Sequence, residues 1–277
     1  MNSFRAELLR LRRWPAIWVT LGAWIFLALL FGYVFNYVTY TSGGGNFSNE
    51  GQSLAQIYVQ LLPEALPGVL VQGMPLFGGA LMMVLGAIVA GNGYGYGTWK
   101  TIYTQGPSRR AVTLGSLLAL SALVVGVLLL TLALFGACTT AIALSEGEAL
   151  VWPPLTDLAA AVGAGLLVLE MWAPAGYFLG TAARGPALWV GLGLVWALVI
   201  EQLLRGVGGL LGPVEAATRV LPGTAAGSLA GAIVGPGGDT PGVLDVLSGP
   251  VAAASVTGYL VVLVTATVVL AQRRDVV

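Results

Sequence analysis

The sequence predicts an all-α polytopic membrane protein. It should have six transmembrane helices, an N-terminal interfacial helix and short re-entrant extracellular helices between spans five and six. Three observations carry this. Of 277 residues, 57% are hydrophobic and 9% charged, against about a quarter charged in a soluble domain. So few charges cannot cover that much apolar surface in water. Six stretches reach the roughly 20 apolar residues needed to cross about 30 Å of hydrocarbon. The basic residues also alternate between successive loops.

This composition fits poorly with a soluble enzyme, a nucleic-acid binder or a disordered chain. Histidine is absent, which removes imidazole metal sites, histidine triads and histidine proton relays. The lone Cys138 excludes an intramolecular disulfide framework and a four-cysteine metal site.

The elements follow in order as one transmembrane domain over 1–277. Residues 1–14 form the interfacial helix. Phe4, Leu8 and Leu11 fall on one face, and Arg5 and Arg12 lie on another, suited to anionic lipid headgroups. The apolar run behind the basic start exceeds 20 residues and lacks a small-residue cleavage site. It therefore reads as a retained first span rather than a signal peptide. The spans are expected at about 15–38, 68–91, 113–140, 155–183, 186–204 and 251–271. Segment 206–250 is apolar but broken by Pro213, Pro222, Pro236, Pro241 and Pro250, which suits short re-entrant helices buried against protein.

With the N-terminus inside, ten of the twelve basic residues fall on the inner side: Arg5, Arg10, Arg12, Arg13, Lys100, Arg109, Arg110, Arg184, Arg273 and Arg274. Only Arg205 and Arg219 fall outside. Glu7 and Asp275 are the only acids inside. This bias places both termini in the cytoplasm. Arginine outnumbers lysine 11 to 1, a usage typical of GC-rich bacterial genomes.

The inner loop 92–112 is the most informative stretch. Its glycines, with Tyr94 and Tyr96, allow a helix break at the membrane surface. Thr98 is expected to cap a short helix ending at Gln105, and Ser108 to cap the third span. Trp99 and Tyr103, four residues apart, would then flank Lys100 on an exposed docking helix. Lys100-Thr101 follows Trp99, not glycine, so no Walker A loop is present.

Gly97-Thr98, a short helix, Pro107-Ser108-Arg109-Arg110 and a following span together resemble the ABC-2 type permease family. Leu221-Pro222-Gly223-Thr224 before the last span, and Gln272-Arg273-Arg274-Asp275-Val276 at the end, agree with that layout. Two positions depart from it. Gly93 stands where the family often has Glu, and Ser116 where a Lys is common.

The resemblance implies a permease subunit of an exporter in the bacterial cytoplasmic membrane. Such a subunit binds no cofactor and has no ATPase motifs of its own; ATP and Mg belong to a partner. The expected partners are two ABC ATPase subunits, a second permease copy or related permease, and membrane lipids, with no nucleic acid. Gly97, Thr98, Trp99, Lys100, Tyr103, Arg109 and Arg110 would couple to the ATPase, together with the N-terminal helix. The cargo would be apolar or amphipathic, such as a drug, antibiotic, peptide or lipid, so efflux and resistance are natural roles.

Two other classes were weighed. Glu170, near the middle of span four, is costly in hydrocarbon. With Trp172 it marks either the substrate path, the dimer seam or a carboxyl bonded to a neighbouring helix. An ion-coupled secondary transporter would use Glu170, but no internal repeat supports that class. A membrane-embedded lipid enzyme lacks enough converging catalytic groups. Glu201 and Arg205 read as an intrahelical pair, and Asp157 as an acid favoured by the helix dipole. Asn46-Phe47-Ser48 matches a glycosylation sequon by coincidence.

Overall fold

A computed structural model describes residues 2–43, 53–95, 97–104, 106–183, 186–208, 212–235 and 240–273. Among these residues every regular element is helical. Six helices are long and apolar enough to cross a membrane: Pro15–Ser42, Pro63–Tyr94, Arg109–Glu146, Leu155–Ala183, Gly191–Gly208 and Gly249–Arg273. The first, second, third and sixth expected spans lie within them with longer ends, the fourth has the expected bounds, and the fifth runs over Gly191–Gly208 instead of 186–204. Four shorter helices accompany them: Asn2–Arg12, Leu54–Leu61, Gly212–Thr218 and Pro222–Val234. A further short helix, Thr98–Thr104, sits in the loop between spans two and three. The sequon at Asn46, together with Arg184, Gln105, Arg274 and Asp275, lies outside the described residues.

The second and fourth spans form the centre. Buried residues make up 67% and 56% of their apolar stretches, against 11% in the sixth. Leu85, Met82, Val89, Leu169 and Met171 are fully buried between the elements. Their approach is set by glycine. A Cβ at Gly86 would collide with the carbonyl of Ala173 and the backbone nitrogen of Tyr177. One at Gly176 would collide with the Met83 carbonyl. Gly180, four residues further on, faces the backbone of Ala87. Backbone-to-backbone contact of this kind is how apolar helices associate where lipid removes the hydrophobic incentive.

Side chains fill notches elsewhere. Trp172 occupies the notch left by Gly79, and Trp24 packs over Gly78. Trp24 Nε1 also donates to Thr131 Oγ1 at 3.0 Å, tying span one to span three. At the far end, Thr139 donates to the Leu61 carbonyl at 2.7 Å. Its neighbour Tyr58 bonds Glu148 at 3.1 Å and stacks on Tyr40.

Helix Pro222–Val234 carries small residues that are buried from Thr224 to Ala230. Its Gly227 and Gly231 seat the returning chain: a Cβ at either would strike the carbonyls of Gly242 and Leu244. Leu244 N donates to Gly227 O at 3.1 Å, and Leu247 N donates to Ser228 Oγ at 3.2 Å.

The Gly86 and Gly126 positions separate packing from propensity. Gly126 has open space around its would-be Cβ. Gly86→Ala should cost about 1–3 kcal/mol through overpacking. Gly126→Ala should be neutral or stabilising by up to about 1 kcal/mol. Thermal unfolding in detergent, followed by gel filtration, reads both.

Candidate functional site

The glycine-rich C-terminal end of span two stays helical through Gly95, beyond the expected end at about 91. Gly97 then makes the turn with φ +65, its amide donating to Tyr94 O at 3.1 Å. Its carbonyl accepts from Thr101 N at 3.4 Å, so Gly97 holds the capping position expected of Thr98. Thr98 is instead the first residue of the loop helix. Ser108 caps the third span as expected, its hydroxyl accepting from Ala111 N at 3.2 Å.

The expectation that Trp99 lies exposed is corrected. Trp99 is only 2% exposed. Its indole fills the space a side chain at Gly93 would take, and Nε1 donates to the Ala90 carbonyl at 3.1 Å. Tyr103, half-buried, stacks on it at 6.0 Å, and Tyr94 meets its edge at 6.2 Å. Gly93, the departure from the family pattern, is therefore what lets Trp99 fold inward. Arg109 lies 5.7 Å from the centre of the Tyr103 ring. Burial, with Tyr94 nearby, pushes the Tyr103 phenol up to about 12.

The outward face of this loop is different from the one anticipated. Gly97, Thr101, Thr104, Pro107 and Arg110 are exposed. Lys100 belongs to the loop helix.

The N-terminal helix is docked on protein rather than lying on lipid alone. Leu11 is fully buried, Phe4 and Leu8 are partly buried, and Arg5 and Arg12 are exposed. Its start presses on Gly115 of span three, where a Cβ would strike the backbone of Ser3 and Phe4.

The sequence reading missed Arg10 as a structural centre. Its guanidinium lies 5.5 Å from the Trp14 ring and 5.4 Å from the Trp99 ring. It also bonds the Val89 carbonyl of span two at 3.2 Å and pairs with Glu7. Glu7 is buried, and that burial raises its pKa against the opposing pull of Arg10. Ser116 of span three and Tyr177 of span four lie near this carboxyl. The signal was present: Glu7, Arg10 and Trp14 fall at i, i+3 and i+7, one helix face.

Within the spans, Glu170 accepts from Ser121 at 2.7 Å, so it bonds a neighbouring helix. No ion pair to it occurs among the described residues. Trp172 is 4% exposed and sits in the core against Gly79. Glu201 and Arg205 pair at 3.4 Å as expected. Trp196 also donates to Glu201 at 2.9 Å, and Arg205 reaches Thr224 at 3.4 Å, tying span five to helix Pro222–Val234.

What this assembly can do is mechanical. A cation between two aromatic rings is worth about 0.5–2 kcal/mol per contact, and a charge-assisted hydrogen bond about 1.5–3 kcal/mol. One residue therefore fastens the N-terminal helix, the loop helix and span two to one another.

Residues 3–200 match the sequence model of the family described as "ABC-2 family transporter protein". No curated protein and no solved structure matches the chain.

Ser116 lies 1% exposed beneath this assembly. In a chain lacking Cys138, Ser116→Cys should react slowly with maleimide. Adding Arg10→Ala should speed labelling at least about tenfold, reflecting roughly 2 kcal/mol of lost docking. An unchanged rate would mean that Arg10 does not hold the N-terminal helix down.

Proposed function

This chain belongs to the ABC-2 family of transporter proteins, and on that premise we propose that it is the permease subunit of an ATP-driven exporter. Membership makes it a multi-pass membrane transport component that works with ABC ATPase subunits. In this reading two such subunits bind at the loop 92–112 and at the N-terminal helix, on the cytoplasmic side of a bacterial inner membrane. ATP and Mg reside in those partners. A second copy of the chain, or a related permease, completes the path. The cargo leaves the inner leaflet as an apolar or amphipathic molecule.

One observation carries this most directly. The loop helix is locked to the N-terminal helix and to span two through Arg10 and Trp99. A push on its exposed Thr101 and Thr104 face therefore moves the membrane helices as a body rather than bending a loose loop. Such a push shifts the bundle between states only if the ATPase binds the two states with different affinity.

Purification of the tagged chain from its host in mild detergent should bring a P-loop ATPase in stoichiometric amount. Thr101→Cys or Thr104→Cys should crosslink to that ATPase, while Trp99→Cys should not, because Trp99 faces inward. Solute movement by the chain alone, driven by an ion gradient and lost in Glu170→Gln, would contradict the proposal.

A further inference from the structure

At the end of the bundle opposite the loop helix lies a cavity of about 940 Å³. It is walled by helix Leu54–Leu61, the start of span two, the start of span four and the end of helix Pro222–Val234. The site described above uses none of its lining. Its polar groups are Gln56, Gln60, Glu64, Gln72, Asp157 and Thr240, and alanine, valine, isoleucine, proline and glycine supply the rest. Among the described residues no lysine or arginine lines it, and neither carboxylate is in an ion pair.

We infer that this cavity is a binding chamber for drug-sized organic cations with an apolar body. Three features converge. The volume lies within the range of small-molecule sites, about 300–1,000 Å³. The walls mix apolar side chains with polar groups from separate elements, which is how such sites fix orientation. The charged groups have one sign: ionised carboxylates only accept hydrogen bonds, while the glutamine amides serve neutral polar groups of either kind. A concave site with charge of one sign concentrates the opposite charge. An anionic guest would meet two carboxylates and no compensating cation.

The inference rests on the proposed function only for direction. If the loop helix is cytoplasmic, the chamber opens outward and receives cargo late in export. Binding itself needs no ATPase.

Tetraphenylphosphonium and tetraphenylborate have the same shape and opposite charge. Equilibrium dialysis of the full chain in detergent should show saturable binding of the phosphonium and none of the borate. Glu64→Gln combined with Asp157→Asn should weaken the phosphonium at least about fivefold, the scale of two exposed charge contacts. Ala160→Trp should fill the chamber and abolish binding, with monodisperse gel filtration reporting that each variant is folded. Glu215→Gln, in an exposed pair elsewhere, should bind as the unaltered chain does. Absent phosphonium binding, equal borate binding, or affinity unchanged in both chamber variants would overturn the inference. An ATPase that fails to copurify would instead refute the exporter reading and leave the chamber result standing.

Discussion

The structure depends on the backbone contact between spans two and four. Gly86, Gly176 and Gly180 bring the two helices closer than any side chain permits. In hydrocarbon, dispersion and close packing must supply what the hydrophobic effect supplies in water. This contact makes span two the keel of the bundle, buried on most sides. The consecutive carbonyls Val89 and Ala90, toward its C-terminal end, then receive Arg10 and Trp99 from two different elements. An element fixed so firmly at its middle can carry a displacement from one end to the other without dissipating it in bending.

The two ends of the keel are built from opposite chemistry. The end at the loop helix gathers aromatic rings around a cation, with a buried acid beneath, so its parts are fastened together. The opposite end is built differently. There the glycine face of helix Pro222–Val234 is filled by the backbone of the returning chain, and Glu201 with Arg205 holds its start. Between these elements the walls diverge and leave a chamber.

Much of this was legible in the residues. Six spans follow from hydropathy because the bilayer admits few alternatives. The Ser108 cap and the Glu201–Arg205 pair follow from local spacing. What was not legible turned on glycines, some adjacent in the chain and some on other helices. Trp99 and Tyr103 at i, i+4 beside a lysine read as an exposed patch. Only the notch at Gly93 and the arrival of Arg10 turn the indole inward. Thr98 was expected to cap because its hydroxyl suits the role, yet the turn needed a positive φ, and Gly97 took the position. The packing of Trp172 was not legible either, since the glycine that receives it, Gly79, lies on another helix. In each case the deciding partner was a glycine, whose contribution is the absence of a side chain and which no periodicity marks.

The central claim is that Arg10 and Trp99 act as one fastening. A double-mutant cycle with Arg10→Ala and Trp99→Ala, read through maleimide labelling of Ser116→Cys, tests it most directly. Residues sharing one interaction should show a coupling energy of at least about 0.5 kcal/mol, the double variant opening the assembly less than the two single effects combined. Additivity within about 0.3 kcal/mol would mean that the two residues act independently and that the N-terminal helix and loop helix are not joined through them.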